Sequence, residues 1–250
     1  MSNVVKANDM YKSVVCKVLF VFIHAAFTLA CSGIGQIRPE QKRKPITEDK
    51  TMNGLTRQEL INRATKYGDP ILATLRKPET VVEQIPTDFF SDGAIYRVST
   101  RPPDRPRVYN LGVWGQESII LLNNEPDNYF ELAANAGLRL NSGSKVEYVT
   151  TLLDVTRDFT GGIQILHNIG DSWWLPSPSP EESRLRDELI GKYTNIVKGP
   201  SLSNDTGSTV IVYLIRDRAL VKANAKVEND GRIEIKDEVL EPLMPTVMLK

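Results

Sequence analysis

From residue 208 to residue 239 the chain spells three β-strands and the turn that joins the last two, and any fold it adopts must be built around them. Residues 208–215 (STVIVYLI) are apolar at both alternating sets of positions, as a strand inside a sheet requires. Residues 219–227 and 232–239 alternate apolar with polar and so turn one face to solvent. A two-residue turn at Asp230-Gly231 would oppose Val227 to Glu234 and set apolar against polar along the whole hairpin. A three-residue loop, Asn229-Asp230-Gly231 with Gly231 left-handed, pairs Val227 with Ile233 and Ala225 with Ile235 on one face, and Lys226 with Glu234 and Glu228 with Arg232 on the other. The second register satisfies both faces and is the one predicted.

Upstream, the pattern alternates between helix and strand signals. Thr56 and Glu59 form a capping box flanked by Leu55 and Leu60, which predicts a helix over 57–66 burying Leu60, Ile61 and Ala64 and stopped at Gly68. Pro78 and Pro86 cut 71–93 into short pieces, a helical turn and an extended connection. Strands are predicted over 94–100, 108–114 and 116–123, joined as a meander. The first connection carries three prolines, and the third strand has four consecutive apolar residues, Ile119 to Leu122, which suit cover on both faces. Helices follow over 127–136, with Phe130, Leu132, Ala133 and Ala136 inward, and over 144–158, opened by a box at Ser144 and Glu147 with Val146, Val149, Leu152, Leu153 and Thr156 along one side. A third box, Ser179 and Glu182 with Pro180 at the first helical position, starts a helix carrying Leu185, Leu189, Tyr193, Ile196 and Val197 at helical spacing. The fold class predicted is α+β: a mainly antiparallel sheet, ending in a three-stranded meander, packed with central helices. It is expected as one domain over 56–250; a division into two subdomains near Asn124 is the alternative.

The N-terminal part reads as an address. Residues 18–30 (VLFVFIHAAFTLA) are apolar, but as a helix rise only about 20 Å against a hydrocarbon core of roughly 30 Å, so they suit the apolar region of a secretory signal better than a membrane span. Lys6, Lys12 and Lys17 supply the basic flank, and Met10 is a candidate start that would shorten it. Ala30 and Cys31 close the run. The junction Thr28-Leu29-Ala30-Cys31 resembles a bacterial lipoprotein processing site, with Thr28 where leucine is usual and Leu29 where a small residue is usual. The resemblance implies cleavage of 1–30, lipidation of the Cys31 thiol, and anchoring to a membrane of the bacterial cell envelope. Loss of Cys16 with the signal would leave Cys31 as the sole thiol, one that lipid would cap. Residues 31–55, rich in charge, Gly and Pro, read as a tether, with Lys42-Arg43-Lys44 placed to meet anionic head groups.

Charge excludes one class of partner. The chain has 31 basic and 31 acidic residues, of which 28 and 30 follow Cys31, so the body lacks the basic footprint of a nucleic-acid binder. No phosphate-binding glycine loop, paired-cysteine spacing or H-E-x-x-H occurs, and neither cofactor nor metal is expected. The candidates for chemistry are few. His167 is the one histidine after Cys31, hence the base any Ser-His-Asp arrangement would need, and Ser142-Gly-Ser-Lys145 matches the S-x-x-K spacing in which lysine activates serine. Acid pairs for glycoside hydrolysis would come from Asp154, Asp158, Asp171, Glu181 and Glu182. Two stretches offer binding surfaces: adjacent Trp173 and Trp174, able to stack on a sugar or peptide, and Arg97, Arg101, Arg105 and Arg107 around the proline-rich connection, an anion clamp. These features favour a non-catalytic binding or structural module with an envelope protein or polymer as ligand. A hydrolase of envelope polymers, acting through Asp/Glu or through Ser142 and Lys145, is the competing expectation.

Overall fold

A computed structural model describes residues 54–68, 70–100, 107–157, 162–204 and 207–247. These fall in one compact unit, Lys44–Lys250. The predicted signal, Cys31, most of the tether, Arg101, Arg105 and Asp158 lie outside the described residues.

The chain begins with helices α1 (Arg57–Ala64), prolonged by a 3-10 turn over Thr65–Tyr67, and α2 (Ile71–Arg76). The Thr56–Glu59 box forms as predicted: the Glu59 amide donates to Thr56 Oγ1 at 3.2 Å, and the Thr56 amide donates to Glu59 Oε2 at 2.7 Å. Strands β1 (Val81–Ile85), β2 (Gly93–Ser99), β3 (Val108–Trp114) and β4 (Ser118–Leu121) then form an antiparallel sheet in chain order. The predicted meander therefore gains β1 at its edge, a segment the flanking prolines hide. Alternation along these strands feeds two different cores. Ala94, Tyr96, Val98, Leu111, Val113 and Ile119 pack against Leu60, Ala64, Leu72 and Leu75 of α1 and α2, whereas Ile95, Ile120 and Leu122 point to the opposite side. The apolar run at 119–122 is thus covered on both faces, as its composition requires.

That opposite side carries α3 (Pro126–Asn135) and α4 (Ser142–Val155). Helix α3 lies so close to the sheet that a Cβ on Gly112 would stand 2.7 Å from Leu132 Cδ2. The second capping box is displaced from the prediction. Asn141, not Ser144, is the N-cap of α4: its Oδ1 accepts from the amides of Gly143 and Ser144, both at 2.9 Å, while Ser144 Oγ accepts from the Asn141 amide at 2.8 Å. Both residue types cap well, and starting at Asn141 leaves Ser144 free to act as the N3 partner, so the helix starts earlier without losing a cap; it also ends earlier than predicted, at Val155. Tyr129 and Tyr148 are fully buried between α3 and α4 beside Phe89 and Phe90. Their hydroxyls are satisfied, by the Tyr148 carbonyl at 3.0 Å and the Gly231 carbonyl at 2.7 Å respectively.

After β5 (Ile163–Leu166) and a 3-10 turn over Ile169–Asp171 comes α5 (Pro180–Tyr193), then β6 (Ser201–Leu202), β7 (Thr209–Arg216), β8 (Ala219–Val227) and β9 (Ile233–Glu241). The second sheet has the order β5-β7-β8-β9, with β6 also paired to β7, so the predicted meander is extended by two short strands. Its hairpin register is the one derived from the sequence: Val227 opposite Ile233, Lys226 opposite Glu234, Ala225 opposite Ile235, with Gly231 at φ +87°. One face of this sheet, through Val210, Val212, Leu214, Val221, Ala223 and Ala225, joins the same core as α3, α4 and the inner face of the first sheet. The other face is covered by Leu189 and Tyr193 of α5 and by Val197 in the turn after it. Leu185 and Ile196, predicted on the buried stripe of that helix, are instead 40 % and 45 % exposed. Leu189, Tyr193 and Val197, four residues apart along α5 and the turn that follows it, suffice to cover the sheet. The described architecture is a mixed α+β fold with central helices between two antiparallel sheets.

Candidate functional site

The Trp173-Trp174 segment is held as a short ribbon against the C-terminal end of the chain. Trp174 faces Thr246 in an isolated antiparallel bridge, flanked by the Leu175 amide donating to the Pro245 carbonyl at 3.2 Å and the Val247 amide donating to the Trp173 carbonyl at 2.7 Å. The two tryptophans consequently part company. The Trp174 ring packs on the core under α5, while Trp173 and Val247 are each 38 % exposed. The Trp173 amide donates to Gln164 Oε1 at 2.9 Å, which ties the ribbon to β5. Ser172 Oγ, Trp174 Nε1 and Thr246 Oγ1 are buried and make no hydrogen bond with the protein. An unpaired buried polar group costs about 1–3 kcal/mol, so three of them on one ribbon mark it out from the rest of the described core.

A second feature is an open groove of about 470 Å³ where the α3–α4 connection meets the β8–β9 turn. Ala133, Leu138 and Leu140 supply apolar surface; Lys145, Glu228 and Asp230 supply charge. Each charge is already engaged: Lys145 Nζ donates to the Gly207 carbonyl at 3.1 Å, Glu228 pairs with Lys226 at 2.7 Å, and Asp230 lies 3.7 Å from Arg232.

The candidates for chemistry are dispersed. Ser142 is the exposed first residue of α4, and no hydrogen bond joins it to Lys145 or His167 among the described residues. His167, exposed at the end of β5, lies over Gly199, where a Cβ would come within 2.9 Å of its Nδ1. The acidic candidates serve separate structural ends. Asp171 Oδ2 accepts from the amides of His167 and Asn168, at 3.2 and 3.1 Å, and Glu182 closes the Ser179 box. The Ser179 amide and hydroxyl hold the Glu182 carboxyl below its ordinary value, and the Thr56 amide and hydroxyl do the same for Glu59. Asp154 takes an ion pair from Arg97 at 2.6 Å and is approached by Arg157 at 3.7 Å. Arg97 also donates to Asn110 Oδ1 at 3.1 Å, and the buried Asn110 Nδ2 donates to the Val155 carbonyl at 2.9 Å. Arg97 thus fastens the end of α4 to β2 and β3. Arg107 closes the proline-rich connection through its backbone: its carbonyl accepts from the Thr100 amide at 3.1 Å, and its amide donates to Thr100 Oγ1 at 3.0 Å. Among the described residues no cluster of three or more His, Cys, Asp or Glu could hold a metal ion, and no helix is long and apolar enough to cross a membrane.

Sequence reasoning missed Ser172 and Thr246. Ser172 adjoins the tryptophan pair and could have been read with it; Thr246 is brought there only by the return of the chain after β9, for which the sequence carries no local signal. Comparison with family models, curated proteins and solved structures returned no match for this chain.

Proposed function

We propose that the protein is exported and lipid-anchored through Cys31 in a bacterial cell envelope, and that its folded body acts there as a non-catalytic binding or structural module for an envelope protein or polymer. The observation that carries this reading is the order of features in the sequence: lysines, a short apolar run, Ala30-Cys31, then a hydrophilic stretch leading to the first helix cap. The start of the folded body supports it, since the Leu55 amide, at the last residue of the segment read as a tether, is held by the Tyr96 hydroxyl at 2.6 Å. Trp173, exposed with Val247 on a ribbon fixed by backbone hydrogen bonds, is the surface best suited to contact a sugar ring or peptide, because its ordering entropy is already met.

Expression of the full chain in a bacterium, followed by membrane fractionation, tests the anchor. The parent should sediment with membranes and dissolve only in detergent, and Cys31→Ala should release it to the soluble fraction. A soluble parent would sink the proposal, and so would a Cys31→Ala chain that stays in the membrane. For the binding surface, co-sedimentation with isolated cell-wall sacculi should fall at least tenfold on Trp173→Ala; equal retention by both chains would remove Trp173 from the contact.

A further inference from the structure

We infer that the inner face of the Trp173–Val247 ribbon is a binding site for one buried oxygen acceptor, an ordered water molecule, shared by Ser172 Oγ, Trp174 Nε1 and Thr246 Oγ1. Ser172 and Thr246 are 5 % and 3 % exposed, and all three atoms are buried without a protein partner. Their common location follows from the backbone. The hydrogen bonds on either side of the Trp174–Thr246 bridge make it a non-hydrogen-bonded pair, the kind in which facing side chains stand closest and on the same side. Ser172 comes two residues before Trp174 and is joined to it by a tight turn, the Trp174 amide donating to the Ser172 carbonyl at 2.7 Å. Residues two apart in such a turn return to one side, and burial agrees: Ser172 and Thr246 are inward, Trp173 and Val247 outward.

The donor set selects the guest. Indole N–H can only donate, so the guest must accept; serine and threonine hydroxyls rotate and can each donate or accept. A water molecule accepts from Trp174 Nε1 and from one hydroxyl and donates to the other, the three hydrogen bonds typical of a buried water. No charged side chain is among these three groups, so nothing in the set calls for an ion. A carbonyl oxygen of a small bound molecule offers the same acceptor, and the experiment separates the two sources. Bound there, the guest joins the segment after β9 to residues 172–174 and fixes the ribbon on which Trp173 is displayed, whether or not the chain is exported.

The chain has three tryptophans and so three indole N–H signals, of which Trp174→Phe identifies one. In the full chain labelled with nitrogen-15 tryptophan and purified without additives, the Trp174 indole proton should show a water cross-relaxation signal with the sign of a long-lived bound molecule. Ser172→Ala and Thr246→Val, each checked by circular dichroism for native folding, should abolish it, and Trp173→Phe should leave it intact. Absence of the signal in the parent overturns the inference, as does its persistence in both variants. A small molecule released on denaturation and detected by mass spectrometry, with its own proton signals at the Trp174 indole in place of water, overturns the assignment of the guest as water.

Discussion

Replacing Gly231 with alanine should destabilise the fold by about 3–4 kcal/mol, the sum of three local effects. Gly231 sits at φ +87°, in the left-handed region where an L side chain costs about 1–2 kcal/mol. A Cβ at that position would lie 2.3 Å from Leu138 Cδ2 and 3.2 Å from Tyr148 Oη. Leu138 is half-buried and its terminal methyl can swing aside, so overpacking should fall near the low end, about 1 kcal/mol, of the usual range. The Tyr148 hydroxyl donates to the Gly231 carbonyl at 2.7 Å in a buried setting, and displacing the turn puts about 1 kcal/mol of that hydrogen bond at risk. At roughly 2–4 °C per kcal/mol for a domain of this size, thermal unfolding followed by circular dichroism should shift down by about 6–16 °C. Gly231→Val, with a branched Cβ in the same place, should shift it further. A melting temperature within about 1 °C of the parent would refute the reasoning, because neither a left-handed Gly231 nor its packing under Leu138 and Tyr148 is compatible with that result.

Three other outcomes are expected. Gly191→Ala should raise stability by about 0.5–1 kcal/mol, since Gly191 lies inside α5 with nothing within 4 Å of a new Cβ; a loss on urea titration would contradict the open surroundings. Asp154→Asn, which leaves Arg97 facing a neutral group in a half-buried site, should cost about 1–3 kcal/mol, and a double-mutant cycle with Arg97→Met should return a coupling of about 1 kcal/mol or more; strict additivity would count against the pair. Burial raises the hydroxyl pKa of Tyr129 and Tyr148 above the unfolded value of about 10, aided at Tyr129 by Tyr148 and at Tyr148 by the Asp230 charge. Their contribution is whole below that pH and is lost as pH rises from there towards the folded values, so the melting temperature should hold up to about pH 10 and then fall, with tyrosinate absorbance from these two rising only on unfolding. Early ionisation of both in the folded protein would contradict their burial.

The parts of the fold that depend on neighbours in sequence were legible; those that depend on distant segments were not. The β8–β9 hairpin followed from alternation plus one glycine, because a slip of a single residue would have reversed every side chain. The Thr56 and Ser179 boxes were readable because each closes within four residues. The start of α4 was misread since Asn141 and Ser144 are both competent caps and only the folded helix decides between them. Tyr129 and Tyr148 carry no local signal of burial, as burial of tyrosine depends on an acceptor elsewhere, for Tyr148 the carbonyl of Gly231. The candidate site divides in the same way. Trp173 and Trp174 stood out as a pair, but which of them faces outward is decided by the pairing with Thr246 and Val247. Arg97 looked free in sequence because Asp154 reaches it only across the sheet–helix interface.

The central claim, anchorage through a processed Cys31, is tested most directly by intact-mass and N-terminal peptide mass spectrometry of the full chain recovered from bacterial membranes. The account predicts a mature chain that begins at Cys31 and carries a diacylglyceryl group on its sulfur. A mature N-terminus at any other residue, or a Cys31 thiol without lipid, would contradict it.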